Sequence, residues 1–400
     1  MTEACVLVCN CGSSSIKFAL IVSGQETQPL SGIAERLESP EARMLWTLNG
    51  KAQQQAIPGA DHAQALVALL TVLEAYPELQ PMAVGHRIVH GGEHFTHSAL
   101  LDDSVLAQVE ACSHLAPLHN PANLLGIQAA QKAFPELPQV GVFDTAFHQS
   151  MPARAYRYPV PESWYRDHGV RRYGFHGTSH RFVGNLAQQR LGGGDLGIVT
   201  AHLGNGCSAA AIRNQCCVDT TMGLTPLEGL VMGTRSGNVD PSIFSYMAER
   251  LHCGVDEITR ILNKESGLLG LSGGLASDMR ELVNAAEGGH AGAQLAIDVF
   301  CYRLAKEIAA LAVACGRFDG LVFTGGIGEN SRGIRAQVLQ HLSLLGLSVD
   351  EERNQSNGRD SAWLITTDAS LPALVIPTNE ELQIARETMS VINADAASQA

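Results

Sequence analysis

The stretch VLVCNCGSSSIKF, residues 6–18, runs from an apolar segment through an asparagine, a glycine and three serines to a lysine. Apolar and β-branched residues stand on both sides of this polar centre, because IKFALIV resumes at Ile16, and the spacing predicts two strands joined by a tight turn. A Walker-type loop, GxxxxGK[ST], would instead run on into a helix. Gly12 permits close backbone approach, Ser13, Ser14 and Ser15 bring hydroxyls, and Lys17 brings a compact cation. The set suits a phosphate, and on its own it suits a solvated hairpin equally well.

The same pattern recurs in GIVTAHLGNGCS at 197–208 and GLVFTGGIGENS at 320–331. Strand-like residues follow the second copy, whereas the third leads into RGIRAQVLQHLSLLG. There Ile334, Val338, Leu342 and Leu345 keep helical spacing and place the glycine turn at a helix N-terminus. Recurrence in both halves predicts two related α/β units facing a shared cleft. Asn120-Pro121 and Asp240-Pro241 each read as an N-cap followed by proline at the first helical position. The segment from His290 to Cys315 is apolar around much of its surface and predicts a central buried helix. Thr378 and Glu381 form a capping-box pattern ahead of the last helix, and the final ten residues read as frayed. The chain changes character between Asp144 and Met151, which places the domain boundary there: residues 1–148 form one domain, completed by 380–400, and 149–379 the other.

With 400 residues, 45% of them hydrophobic, the chain can bury substantial cores, and its length fits about two to three domains. A net charge of −13 argues against nucleic acid or an anionic membrane as the main partner, so any anion site must rest on a few placed cations. Ten cysteines without a CxxC pair read as free thiols, and no signal peptide or long apolar run is evident. A cytoplasmic location is expected.

Arg87 lies among apolar neighbours in GHRIVHGGEHF, where burial requires an anion, either a ligand carboxylate or a structural partner. MGTRSGNVDP repeats the theme with Arg235. Asp144 ends the strand-like QVGVF, where open α/β sheets place ligand-binding residues, although a strand-end cap is the alternative. Glu380 opens the last helix, where compensation of the helix dipole is the bland role. Asn10, Asp144 and Glu380 carry the hard oxygen atoms that Mg²⁺ prefers. His119 and His176 fit hydrogen bonding or charge stabilisation better than transition-metal binding.

Nine segments occur in order: CNCGSSSIKF, GHRIVHGGE, APLHNPANL, VFDTAFHQSMP, RRYGFHGTSH, AHLGNG, MGLTPLEGLVMGTRSG, FTGGIGEN and IPTNEE. Together they resemble the acetate and propionate kinase family of the actin-like ATPase superfamily, from Cys5 to about Arg386. The resemblance implies an α/β fold of two actin-like (ribonuclease H-like) domains with the nucleotide and substrate cleft between them. It also implies a homodimer, and reversible phosphoryl transfer from ATP to acetate giving acetyl phosphate and ADP. The cofactor would be Mg²⁺, with Mn²⁺ as a substitute.

By the same resemblance Asn10 and Glu380 hold the metal, Asp144 is the catalytic aspartate, and Arg87 binds acetate. His176 and Arg235 stabilise the phosphoryl in flight, with His119 in support. Ser13, Lys17 and the segment His202, Leu203, Gly204, Asn205 and Gly206 face the phosphates. Asp278, Met279 and Arg280 meet the adenosine, and Gly326, Ile327, Gly328, Glu329 and Asn330 form the turn beneath the nucleotide. Val89, Leu118, Phe175 and Pro226 wall the acyl pocket.

Asn238 stands where the family commonly has aspartate, which would alter charge beside Arg235, and GLSGGLASDMR carries one extra glycine. Two other readings remain open at this point: a nucleotide-switched actin-like interaction protein, and a propionate kinase.

Overall fold

The computed structural model describes residues 4–117 and 119–399, with side chains up to residue 397. The chain divides into two compact units, Met1–Phe147 with Asn379–Ala400, and His148–Thr378.

In the first unit β1 (Cys5–Gly12) and β2 (Ser15–Val22) form the hairpin around Ser13 and Ser14, with Gly12 opposite Ser15. β3 (Thr27–Glu35), β4 (Arg43–Leu48) and β5 (Lys51–Ala56) extend it as a meander. On the other side β6 (Pro81–Ile88) pairs parallel with β1, β8 (Gln139–Phe143) pairs parallel with β6, and the short β7 (Ala99–Leu100) closes the edge. The order is β5-β4-β3-β2-β1-β6-β8-β7. Alternation along β1 turns Cys5, Leu7, Cys9 and Cys11 into a core shared with Leu66, Leu69 and Leu73 of the His62–Glu74 helix. The Asn120–Ala133 helix approaches so closely that a Cβ on Gly126 would lie 2.2 Å from the Cys11 sulfur. The Glu380–Gln399 helix returns to pack on β1, β6 and β8. Gly85 makes that contact possible, since a Cβ there would meet the Thr388 hydroxyl at 2.4 Å.

The second unit holds β9 (Gly197–Leu203), β10 (Cys207–Arg213), β11 (Cys216–Thr220), β12 (Gly320–Thr324) and β13 (Ala373–Val375), in the order β11-β10-β9-β12-β13. The first three strands are antiparallel neighbours, and β12 and β13 add in parallel. The Gly177–Arg190 helix packs on β9 and β12, and the Ala291–Cys315 helix on β9, β10 and β11.

Several local expectations are corrected. Asn120 is the first residue of its helix and His119 the cap; the Asn120 amide is spent on the His90 backbone instead. The helix after Asp240-Pro241 begins at Ile243, because Asp240 accepts from the Ser242 amide and closes a turn first. Asn379, not Thr378, caps the last helix by accepting from Leu382, and no fraying is seen through Gln399. The glycine turn at 325–330 is itself a short helix, Gly325–Asn330, and the helix after it ends at His341, short of Leu345. The Ala291–Cys315 helix buries Ile297, Phe300, Leu304 and Ile308, but its other face leaves Leu295, Tyr302 and Val313 exposed. None of the ten cysteines, all of them among the described residues, forms a disulfide. No described helix is long and apolar enough to cross a membrane.

Candidate active site

In the first unit, parallel pairing of β1, β6 and β8 brings three strand ends side by side, the place where such sheets collect ligand-binding residues. Asn10 lies near the end of β1, Arg87 near the end of β6, and Asp144 just after β8, its amide donating to the Ile88 carbonyl at 2.9 Å. The Arg87 fork meets the Asp144 carboxylate, Nη2 to Oδ2 at 2.6 Å and Nε to Oδ1 at 3.2 Å. Nη1 donates to Asn10 Oδ1 at 3.3 Å. The structural anion for Arg87 is thus Asp144, itself almost wholly buried. Burial works against the guanidinium charge, but Asp144 and Glu380 outweigh it and raise the Arg87 pKa.

Glu380 stands in the first turn of the last helix, and its carboxyl is pushed up to about 7, chiefly by burial. Arg87 and Lys17 pull it down, while Asp144 and Glu381 push it further up. Two carboxylates crowded with an amide oxygen make a hard-donor set, and that mutual repulsion is what a divalent cation relieves. Asn10, Asp144 and Glu380 therefore fit Mg²⁺ by donor chemistry. Lys17 is cross-strand from Asn10 and exposed, as is Ser13 in the turn.

Two residues not expected from sequence hold this region. Asn123 accepts from the Val89 amide at 3.1 Å and donates to the Cys11 carbonyl at 2.8 Å, while Asn120 accepts from the His90 amide and donates to its carbonyl. They lock the loop after Arg87 to the end of β1. Their signal was weak: polar side chains on the buried face of a helix. Val89 is buried beside this loop, and His119 is exposed at the helix start. Leu118 lies outside the described residues.

In the second unit His176 caps the Gly177–Arg190 helix in the left-handed region at φ 57°, a conformation costly for a residue with a Cβ. Its ring stacks on His202 at 4.4 Å, and its Nδ1 lies 2.9 Å from Ser208 Oγ. The Phe175 carbonyl accepts from His148 Nε2 at 2.9 Å, which anchors the strained turn from behind. A Cβ placed on Gly206 would meet both the His176 ring at 3.5 Å and Arg235 Nη1 at 3.7 Å, so the two side chains flank one glycine. Arg235 donates to the Pro226 carbonyl at 3.1 Å and to Met232 sulfur; among the described residues no carboxylate pairs with it. Burial lowers its pKa. The Asn238 side chain accepts from the Gly229 amide at 2.9 Å and closes the loop.

A cavity of about 950 Å³ opens in the same unit, lined by Gly204, Asn205, Asp278, Met279, Arg280, Gly326, Ile327 and Asn330. Three segments far apart in sequence meet there. Leu203 and Gly328 are buried, and Glu329 turns inward, accepting from the Gly325 amide at 2.9 Å and the Thr378 amide at 3.2 Å. Asn284, Glu287, Gln294 and Gln337 also line the cavity, from three helices on which nothing distinguishes them from ordinary surface polar residues.

The acetokinase family model matches residues 5–386. The chain belongs to that family. It is 55% identical over 395 residues to an acetate kinase of Ectopseudomonas mendocina, covering 98% of this chain and 100% of the relative. Among solved structures, a propionate kinase from Francisella tularensis superposes with a TM-score of 0.92 at 43% identity, over 97% of this chain and 100% of that one. An acetate kinase from Porphyromonas gingivalis gives 0.91 at 42% identity, with the same coverage. The two α/β units are those of the actin-like ATPase fold.

Proposed function

We propose that this acetokinase-family member transfers the terminal phosphoryl group of ATP to acetate, giving acetyl phosphate and ADP, and runs the reaction in reverse. What supports the chemistry most directly is Arg235, a partly buried cation without a carboxylate partner among the described residues, set with His176 around Gly206. A switch or filament protein whose acceptor is water has no evident use for such a pair.

Acetate is a poor nucleophile, and phosphoryl transfer asks the protein mainly for alignment and neutralisation of the equatorial oxygens. Arg235 and His176 supply that neutralisation, and His119 supports it. Arg87 receives the acetate carboxylate, presenting Nη1, the nitrogen that only the longer Asn10 contact holds. Asp144 keeps the guanidinium plane in place through the other edge and lies beside the reacting oxygens. Asn10 and Glu380 would hold Mg²⁺, which when bound supplies positive charge to the phosphate oxygens. The 950 Å³ cavity takes the adenosine against Asp278, Met279 and Arg280, above the Gly326–Asn330 segment, while Gly204 to Gly206 with His202 reach the phosphates. Ser13 and Lys17 complete the phosphate contacts. Val89, Phe175 and Pro226 limit the acyl chain. Transfer is direct and in line, so a chiral phosphoryl group should emerge with inverted configuration. The exposed Tyr246, Leu251, Leu295 and Tyr302 offer apolar surface for a homodimer.

The likeness to a propionate kinase favours one second reading, in which propionate is the preferred acceptor. Steady-state kinetics with acetate, propionate and butyrate, trapping the acyl phosphate with hydroxylamine, separates the readings. Acetate should show the highest kcat/KM. ATP turnover independent of any carboxylate would overturn kinase activity, and a higher kcat/KM for propionate would overturn the choice of substrate.

A further inference from the structure

Behind His176 lies a chain of buried side chains that phosphoryl transfer does not itself require. Ser208 Oγ, on β10, is wholly buried and sits 2.9 Å from His176 Nδ1 and 2.7 Å from His180 Nε2. His180, also wholly buried, has its Nδ1 2.7 Å from Thr200 Oγ1, and that hydroxyl reaches the Ala210 carbonyl at 3.5 Å.

The chain admits two directions of hydrogen bonding, and in the one that ends on the Ala210 carbonyl, which only accepts, the single Thr200 hydroxyl proton goes to Ala210 and Thr200 Oγ1 accepts from His180 Nδ1–H. Burial holds His180 neutral, its pKa well below the ordinary histidine value, with the nearby His148 and His202 acting in the same direction. A neutral ring protonated at Nδ1 carries its lone pair at Nε2, so Ser208 donates its only proton there. Ser208 Oγ is then left as an acceptor toward His176 Nδ1–H. The opposite edge of His176, Cε1 and Nε2, is the one that faces Gly206, which also adjoins Arg235.

We propose that Ser208, oriented by His180 and Thr200, is a positioning residue that keeps a proton on His176 Nδ1, so that His176 offers an N–H to the transferring phosphoryl only as the imidazolium. The inference rests on the assignment of His176 to the phosphoryl group. Neutral His176 would turn a lone pair toward anionic oxygens, and the enzyme gains a requirement for a protonated histidine. Among the charged and titratable groups facing the His176 ring are His202, stacked upon it from β9, Arg235 across Gly206, and His180 through Ser208.

The test combines ¹⁵N NMR of the histidine ring nitrogens with pH–rate profiles for wild type, Ser208→Ala, Thr200→Val and Ser208→Thr. In the wild type above its pKa, His176, assigned by loss of its signals in His176→Ala, should show the Nδ1–H tautomer. In Ser208→Ala the neutral ring is released to Nε2–H. That variant should lose about ten-fold in kcat at the low-pH plateau, the order expected for one hydrogen bond to a charged group, and its alkaline decline should flatten. Thr200→Val keeps the shape of threonine and should move tautomer and profile the same way through His180, while Ser208→Thr should restore the wild-type profile. An Nε2–H tautomer in the wild type, or an unchanged profile shape in Ser208→Ala and Thr200→Val, would overturn the proposal. Near-wild-type turnover in His176→Ala would instead overturn the role of His176.

Discussion

Glu380→Gln should stabilise the metal-free protein, and do so progressively as pH rises. The Glu380 carboxyl titrates near 7 in the folded chain, because it is buried and faces Asp144 and Glu381, against 4.5 for an ordinary glutamate. Its folded-state pKa is raised, so the folded chain favours the protonated acid. Below about pH 4.5 both folded and unfolded states hold the proton and the group costs nothing. Between 4.5 and 7 the unfolded state releases it first, and above 7 the full penalty is present. At about 1.4 kcal/mol per pH unit the gap corresponds to about 3–4 kcal/mol, and residual solvent screening reduces the part opening between pH 5 and pH 8 to about 1–2 kcal/mol. Glutamine keeps the shape and removes the charge. Urea denaturation without magnesium at the two pH values should therefore show the advantage of the variant growing by that amount, while its magnesium-dependent turnover collapses. A stability difference that is the same at both pH values, or that shrinks toward pH 8, would refute the electrostatic reading of this site.

Arg335 is wholly buried and donates to the Gly328 and Glu329 carbonyls and to Asn354 and Asn357, with burial holding its pKa down at about 10. Arg335→Met should destabilise by about 3–5 kcal/mol in urea denaturation, because those acceptors lose their donor, and should raise the KM for ATP by loosening the Gly325–Asn330 helix. Val89→Ala removes two methyl groups from a buried side chain and should improve kcat/KM for propionate relative to acetate by several-fold, mostly through KM; at roughly 0.8 kcal/mol per methylene, an unchanged ratio would remove Val89 from the acyl wall.

Local chemistry carried much of the architecture. The β1–β2 hairpin was legible because apolar β-formers flank a Gly-Ser turn on both sides, and no distant contact is needed to make that choice. The strand–turn–strand at 197–213 followed from the same pattern. Family membership was legible for a different reason: nine long segments in order leave no room for another chain type. What could not be read are the places where a side chain has two good partners and the fold chooses. Asn120 and Thr378 are both competent helix caps, but Asn120 is drawn to the His90 backbone and Thr378 to Ser179, and the caps pass to His119 and Asn379.

The sequence alone determined the α/β units, the hairpin that opens the chain and the family, since these depend on residue type and order. Only the tertiary structure decided the company each polar group keeps. The register of β1, β6 and β8 seats Asp144 in the Arg87 fork, a pairing across 57 positions that neither local sequence announces. Folding of the second unit brings His180 and Ser208 behind His176, and lines the large cavity with polar residues from three separate helices. Hydrogen bonds and charges act over a few ångströms of space, whatever the distance along the chain, so their pairing is settled only when strands and helices have packed.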